Sequence, residues 1–297
     1  MKKLHISFEG IHDSTGYLFS FAKCLSAAMR CGGYADLADD VIAASGFAFR
    51  MWVDGKELCP SATSIWDFSR QKPWVESAGL CCEYVERLWH EEALEQERRK
   101  KAIAMIRRSV DNGFAPVAWD LSGAEWGLIV GYDDQTDCLF TLKTDGSEAV
   151  LPCEKLGRLE IPILSVLCVT GSTNQTPVQL VTNTKKLALN HLRGNEWCEN
   201  ACGLAAYDAL CAFSARQHSE EYAWNLEYML GTYAALKWYA WQFFAKYSEM
   251  ELAGLYRQVY ESWQSAFEAR NQGGAAVAAC LQRARAAEQL AMMAMND

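Results

Sequence analysis

Gly113-Phe-Ala-Pro-Val-Ala-Trp-Asp-Leu-Ser-Gly-Ala-Glu-Trp-Gly-Leu-Ile-Val-Gly131, running on into Tyr132-Asp133-Asp134, holds two apolar segments, Pro116 to Trp119 and Trp126 to Val130. A small Ser-Gly-Ala turn splits them and a Gly-Tyr-Asp-Asp turn closes the second, which predicts a strand hairpin with a polar corner. Working outward, Cys138 to Leu142 and Ala149 to Pro152 alternate like strands about Asp145-Gly146, and Pro162 to Thr170 reads as one more. The sheet is expected to end near Gly171.

Upstream, His12-Asp13-Ser14 is a helix-capping sequence, followed by apolar residues at helical spacing through Arg30. A second helix is expected over Tyr34 to Ala43, a strand over Phe47 to Val53, a loop over Lys56 to Pro73 and a long, charge-dense helix over Cys82 to Ser109. The charge run Glu91 to Lys101 reads as a solvated face with acid–base pairs one turn apart. Ser172 to Pro177 is a polar linker. Beyond it the pattern is helical: Val178 to Leu192, Cys202 to Ala215, Glu220 to Lys246, Glu251 to Arg270 and Ala275 to Met295.

The expected fold is therefore α+β, with an antiparallel-sheet domain over 1–172 and an all-helical domain over 178–297. The hairpin, with its short loop, apolar strand and Gly-Tyr-Asp turn, resembles the central sheet of papain-like cysteine-peptidase folds, especially double-glycine peptidases and the butirosin acyltransferase family. Gly203-Leu-Ala-Ala-Tyr207 resembles the start of the helical part of the butirosin-type proteins. This resemblance implies a papain-like first domain and transfer of an acyl group from a carrier protein to an amine, as in bacterial secondary metabolism.

Such a site needs a thiolate at a helix N-terminus, a His to shuttle protons and an Asn or Asp to orient it. The matching helix start, Asp13-Ser14-Thr15-Gly16, has no Cys; Glu125 stands where the resemblance puts the His, and Lys143 near where it puts the orienting Asp. A classical cysteine protease is disfavoured. The catalytic candidates are Ser14 as nucleophile or substrate-binding hydroxyl, Glu125 as general base, and His12 beside them. A carboxylate in a Trp-flanked, desolvated corner has its pKa raised and suits acyl or aminoacyl transfer, or amide or ester hydrolysis, on a small molecule or peptide.

The alternative is a catalytically silent cleft that binds a small ligand or a protein partner. Trp52, Trp66, Trp119 and Trp126 are its candidate walls and Asp13, Arg50, Asp120 and Glu125 its polar handles; the acidic groups favour an amine-bearing ligand. Against this stands ordinary core packing for the tryptophans, backbone capping for Glu125 and an ion pair for Arg50. A third reading puts function in the helical half: Glu220 to Lys246 has too many aromatics for one face, so it is a bundle centre or a partner surface, and Ala275 to Met295 makes a homodimer a candidate assembly.

Composition narrows the classes. The chain has 297 residues, 51% of them apolar, and a net charge of −9. It can bury a large core, and it offers nucleic acid no attraction. Apolar runs fall short of a membrane span and the start lacks a signal-peptide stretch, so a cytoplasmic protein without membrane partners is expected. Twelve cysteines without a Cys-x-x-Cys pair read as reduced core thiols. Cys198, with His191 seven residues earlier, is a weaker nucleophile candidate, because Glu196 and Glu199 flank it. The His residues lack metal-ligand spacing, so no metal and no cofactor is expected.

Overall fold

The computed structural model describes residues 1–8, 10, 19–63, 68–121, 123–196, 198–216 and 220–296. His12, Asp13, Ser14 and Trp66 therefore lie outside the described residues. In chain order the elements are β1 (Lys2–Lys3), α1 (Ser20–Cys31), α2 (Asp40–Ala44), β2 (Trp52–Val53), α3 (Gln71–Ser77), β3 (Leu80–Arg87) and α4 (Glu95–Asp111). There follow β4 (Val117–Ala118), β5 (Gly127–Asp133), β6 (Cys138–Leu142), β7 (Glu148–Pro152), β8 (Leu164–Ser172), α5 (Pro177–Leu192), β9 (Ala201–Cys202), α6 (Ala205–Ser214), α7 (Glu220–Lys246), α8 (Met250–Glu268) and α9 (Gly274–Ala294). The protein is mixed α+β with a helical C-terminal region.

These elements form two compact units, one of the described residues in 1–13, 20–41 and 67–175, the other of those in 14–19, 42–66 and 176–297. Residues 42–63, which precede the sequence-based boundary at 172, group with the C-terminal helices.

In the first unit a seven-stranded antiparallel sheet runs β3-β8-β4-β5-β6-β7, with β1 also on β5. The expected hairpin is present: Val117 pairs with Leu128 and Ala118 with Gly127. One edge of β5 is shared, its first half by β4 and its second half by β1, where Lys3 opposes Gly131. Gly131 permits that approach, since a Cβ there would lie 2.4 Å from the Lys2 carbonyl oxygen. Helix α4 covers one sheet face, its Ala102, Met105, Ile106 and Val110 packing with Val85, Ala118, Ile129 and Val166. Trp126, an odd number of residues from Ile129, belongs to the other face and meets Phe21 of α1 edge-on, 4.8 Å between centroids.

Several sequence-based expectations are corrected. The helix expected from Thr15 begins at Ser20, with Phe19 outside it, so the helix start is not at Ser14; and Gly131-Tyr132-Asp133, expected as a turn, is the end of β5. Cys82 to Arg87 belongs to a strand, not to the charged helix, which begins only at Glu95. β3 pairs along β8 with Leu80, Cys82, Val85 and Arg87 buried, and the bulge at Cys81/Cys82 shifts the alternation and hides it. Phe47 to Phe49 form a turn, with the Phe49 and Arg50 N–H groups both donating to the Gly46 carbonyl, so the strand is only Trp52–Val53. The helix expected from Tyr34 is a short 3-10 turn followed by the five-residue α2.

In the second unit α5 opens with a capping box between Thr176 and Gln179, and Pro177 supplies a preset φ. Helices α7, α8 and α9 pack in succession, and α6 packs on α9. The aromatics of α7 resolve as core: Tyr233, Tyr239, Phe243 and Phe244 are buried, while Trp224 is exposed. β2 and β9 form a two-stranded ladder. No helix among the described residues is long and apolar enough to cross a membrane.

Candidate functional site

The corner joining β4 to β5 is held by Asp120. Its carboxylate accepts the Ala124 N–H at 2.9 Å and the Ile161 N–H at 3.0 Å, and the Leu121 N–H closes the loop on the Glu125 carbonyl at 3.2 Å. Asp120 and Ala124 have φ of 58° and Gly123 of 67°, an unusual density of left-handed backbone. Asp120 is 1% exposed, and burial raises its pKa against the pull of the Ala124 and Ile161 N–H groups. It fastens the corner and is not open to a ligand.

The corner delivers Glu125 to the start of α1. The hydroxyl of Ser20, the first residue of that helix, donates to Oε2 of Glu125, and the Trp126 N–H approaches the same hydroxyl oxygen at 3.4 Å. The positive end of the α1 dipole favours a carboxylate there. Burial works against it and dominates, so the Glu125 pKa is raised, with the Ser20 hydroxyl and the Trp126 N–H pulling it down. One turn into α1, burial and then the negative Glu125 push the Cys24 thiol far up, with Lys23 opposing. That sulfur is a neutral core thiol.

Behind Glu125 lies an aromatic stack. Phe68 meets Trp126 at 4.7 Å and Trp119 at 5.0 Å, and the two indoles meet each other at 5.3 Å between centroids. Phe68 and Trp126 are fully buried and Trp119 is 4% exposed. Their rings are core packing rather than faces open to a ligand. Glu125 itself is half-buried. The result is a half-buried carboxyl group whose proton affinity is raised, a property that suits proton transfer or the facing of a cation.

Arg50 belongs to the second unit. Its guanidinium lies 3.9 Å from the centroid of the Trp52 ring and 5.3 Å from that of Phe47. Burial lowers its pKa to about 10, against the pull of Tyr233, Glu196, Cys198 and Cys202. His191, also buried, bonds through Nδ1 to Glu196, and burial lowers its pKa. Lys143 sits in the β6–β7 turn, where its N–H bonds to Ser147. Sequence reasoning missed Ser20 as the partner of Glu125; the only signal was a hydroxyl within the apolar run of the first helix.

The twelve cysteines are free thiols. Among the described residues no group of three His, Cys, Asp or Glu side chains is placed to hold a metal ion. No protein-family model matches the chain, and no curated protein matches it.

Proposed function

We propose that the first unit is a papain-like domain related to the butirosin acyltransferase family and the double-glycine peptidases, in which a carboxylate replaces the catalytic imidazole. Its activity is acyl or aminoacyl transfer, or amide or ester hydrolysis, on an amine-bearing small molecule or peptide, with an acyl carrier protein as a candidate donor. Glu125 takes the proton of the attacking group and returns it to the leaving group. Ser20 fixes the carboxylate, and Ser14, as nucleophile or substrate-binding hydroxyl, with His12 to assist, stays a sequence-based candidate. The observation that carries this reading is the Ser20–Glu125 hydrogen bond, which joins a helix N-terminus to the strand corner where the resemblance puts the proton shuttle.

A second reading, a ligand-binding domain without catalysis, is favoured by the burial of the described nucleophiles near Glu125. Ser20 is 2% exposed, and the Cys24 thiol is buried and held neutral. A panel of amines, amino acids and acyl thioesters, scored by thermal shift and then by turnover, separates the readings. For an enzyme, Glu125→Gln lowers turnover by about 100-fold or more while the variant stays folded. Ligand-induced shifts that vanish in Glu125→Gln without any turnover support the binder, and shifts and turnover both unchanged in Glu125→Gln remove the site.

A further inference from the structure

We infer that Cys198 and Cys202 form a thiol–disulfide exchange site in the second unit, taking aliphatic disulfides as substrates and independent of Glu125. Their sulfurs lie 3.3 Å apart. A disulfide bond is about 2.05 Å long, so only about 1.3 Å of approach separates the pair from a covalent link. Both residues are half-buried.

The local backbone holds the two thiols differently. Cys202 is fixed on β9, opposite Trp52 in the ladder. The Tyr233 hydroxyl clamps Trp52 by accepting its N–H at 2.9 Å and donating to its carbonyl at 2.6 Å. Cys198 lies in the bend before β9, where the Asn200 N–H donates to it; the Cys202 thiol donates to the Asn200 carbonyl at 2.9 Å, and either sulfur can donate across the 3.3 Å contact between them. The charged and titratable groups acting on the pair are Glu196, which disfavours a thiolate, Arg50, which favours it, and Tyr233. The balance favours the thiolate at Cys198, with the Cys202 contact the largest cause, and disfavours it at Cys202. With Cys202 fixed in the ladder and Cys198 in the bend beside it, Cys198 takes the attacking role and Cys202 the resolving one.

The chemistry closes without a cofactor. The Cys198 thiolate attacks one sulfur of a disulfide RSSR, forming a Cys198–SR mixed disulfide and releasing RS⁻. Cys202 then gives up its proton and attacks the Cys198 sulfur, releasing the second RS⁻. The two cysteines are oxidised by two electrons, RSSR is reduced, and the two protons appear on two RSH molecules.

The test uses the full chain, fully reduced and then treated with oxidised glutathione, quenched by alkylation and mapped by mass spectrometry. A Cys198–Cys202 disulfide is expected with two glutathione molecules released. Cys202→Ser should trap one glutathione on Cys198, and Cys198→Ser should leave position 202 unmodified. In the reduced wild type, alkylation of Cys198 should rise with a midpoint below the ordinary 9.0 of a thiol, and Cys202→Ser should move that midpoint upward. Circular dichroism establishes that each variant is folded. Glutathione confined to the exposed Cys59, or a Cys198 midpoint unaffected by Cys202→Ser, overturns the inference.

Discussion

Replacing Lys237 with methionine keeps most of the side-chain volume and removes one buried charge from the second unit. The Nζ of Lys237 donates to Glu288 Oε1 at 2.6 Å and to the Ala48 carbonyl at 3.1 Å. Glu288 Oε2 accepts the Tyr207 hydroxyl at 2.7 Å, and the Tyr207 oxygen accepts the Trp263 indole N–H at 2.8 Å. Lys237 and Glu288 side chains are both 0% exposed. Burial lowers the Lys237 pKa, and Glu288 opposes that shift. Without the ammonium, the carboxylate keeps only neutral donors in a buried site, and breaking such a pair costs about 3–5 kcal/mol. Adding Glu288→Gln removes the stranded charge yet still offers Tyr207 an acceptor, so the double variant should lose only about 1–2 kcal/mol. Urea unfolding followed by tryptophan fluorescence and circular dichroism measures both, and the cycle should give a coupling of about 2 kcal/mol or more. A Lys237→Met cost under about 1 kcal/mol, or a double variant as unstable as the single, would refute the claim that the pair stands on mutual neutralisation.

At the site, burial raises the Glu125 pKa above its unfolded value, so the folded chain holds that proton more tightly. The associated stability is complete below the unfolded pKa and is lost as pH rises through the folded one. Glu125→Gln escapes that loss, and its melting temperature relative to wild type should climb from acid to neutral pH; a flat difference would show that the carboxylate is not desolvated. Asp120→Ala strands the Ala124 and Ile161 N–H groups and should cost about 2–4 kcal/mol in chemical denaturation, with Asp120→Asn milder because its amide oxygen still accepts one of them. Arg87, 2% exposed, donates to the Pro162 carbonyl at 2.5 Å and the Gly157 carbonyl at 2.7 Å. Arg87→Met should destabilise by about 2–4 kcal/mol and speed amide exchange across residues 157–163; unchanged exchange would assign that loop another anchor.

The hairpin was legible because a small, polar corner splits its two apolar segments, which pair where the pattern puts them, although β5 runs on through Gly131 to Asp133, where a turn was expected. β3 was not legible. Its bulge breaks the period-two pattern, and Glu83 and Glu86 blend into the charge run of α4; Gly79, with φ of 83°, was the available sign that a new element starts. Glu125 was identifiable from its place in the corner, but the burial of Trp119 and Trp126 depends on Phe21 and Phe68, which come from distant parts of the sequence. The spacing of Cys198 and Cys202 was visible. What brings their sulfurs together is the β2–β9 ladder, with β2 lying in a segment that sequence reasoning assigned to the sheet domain.

Both readings of the first unit need the same property of Glu125: a carboxyl group of raised proton affinity held on the Ser20 hydroxyl. A carbon-13 NMR titration of the Glu125 carboxyl, in wild type and in Ser20→Ala, measures it directly. The expected midpoint lies above the ordinary 4.5 and moves higher in Ser20→Ala, because the hydroxyl favours the charged form. A midpoint at or below 4.5 that ignores the Ser20 substitution would contradict the account.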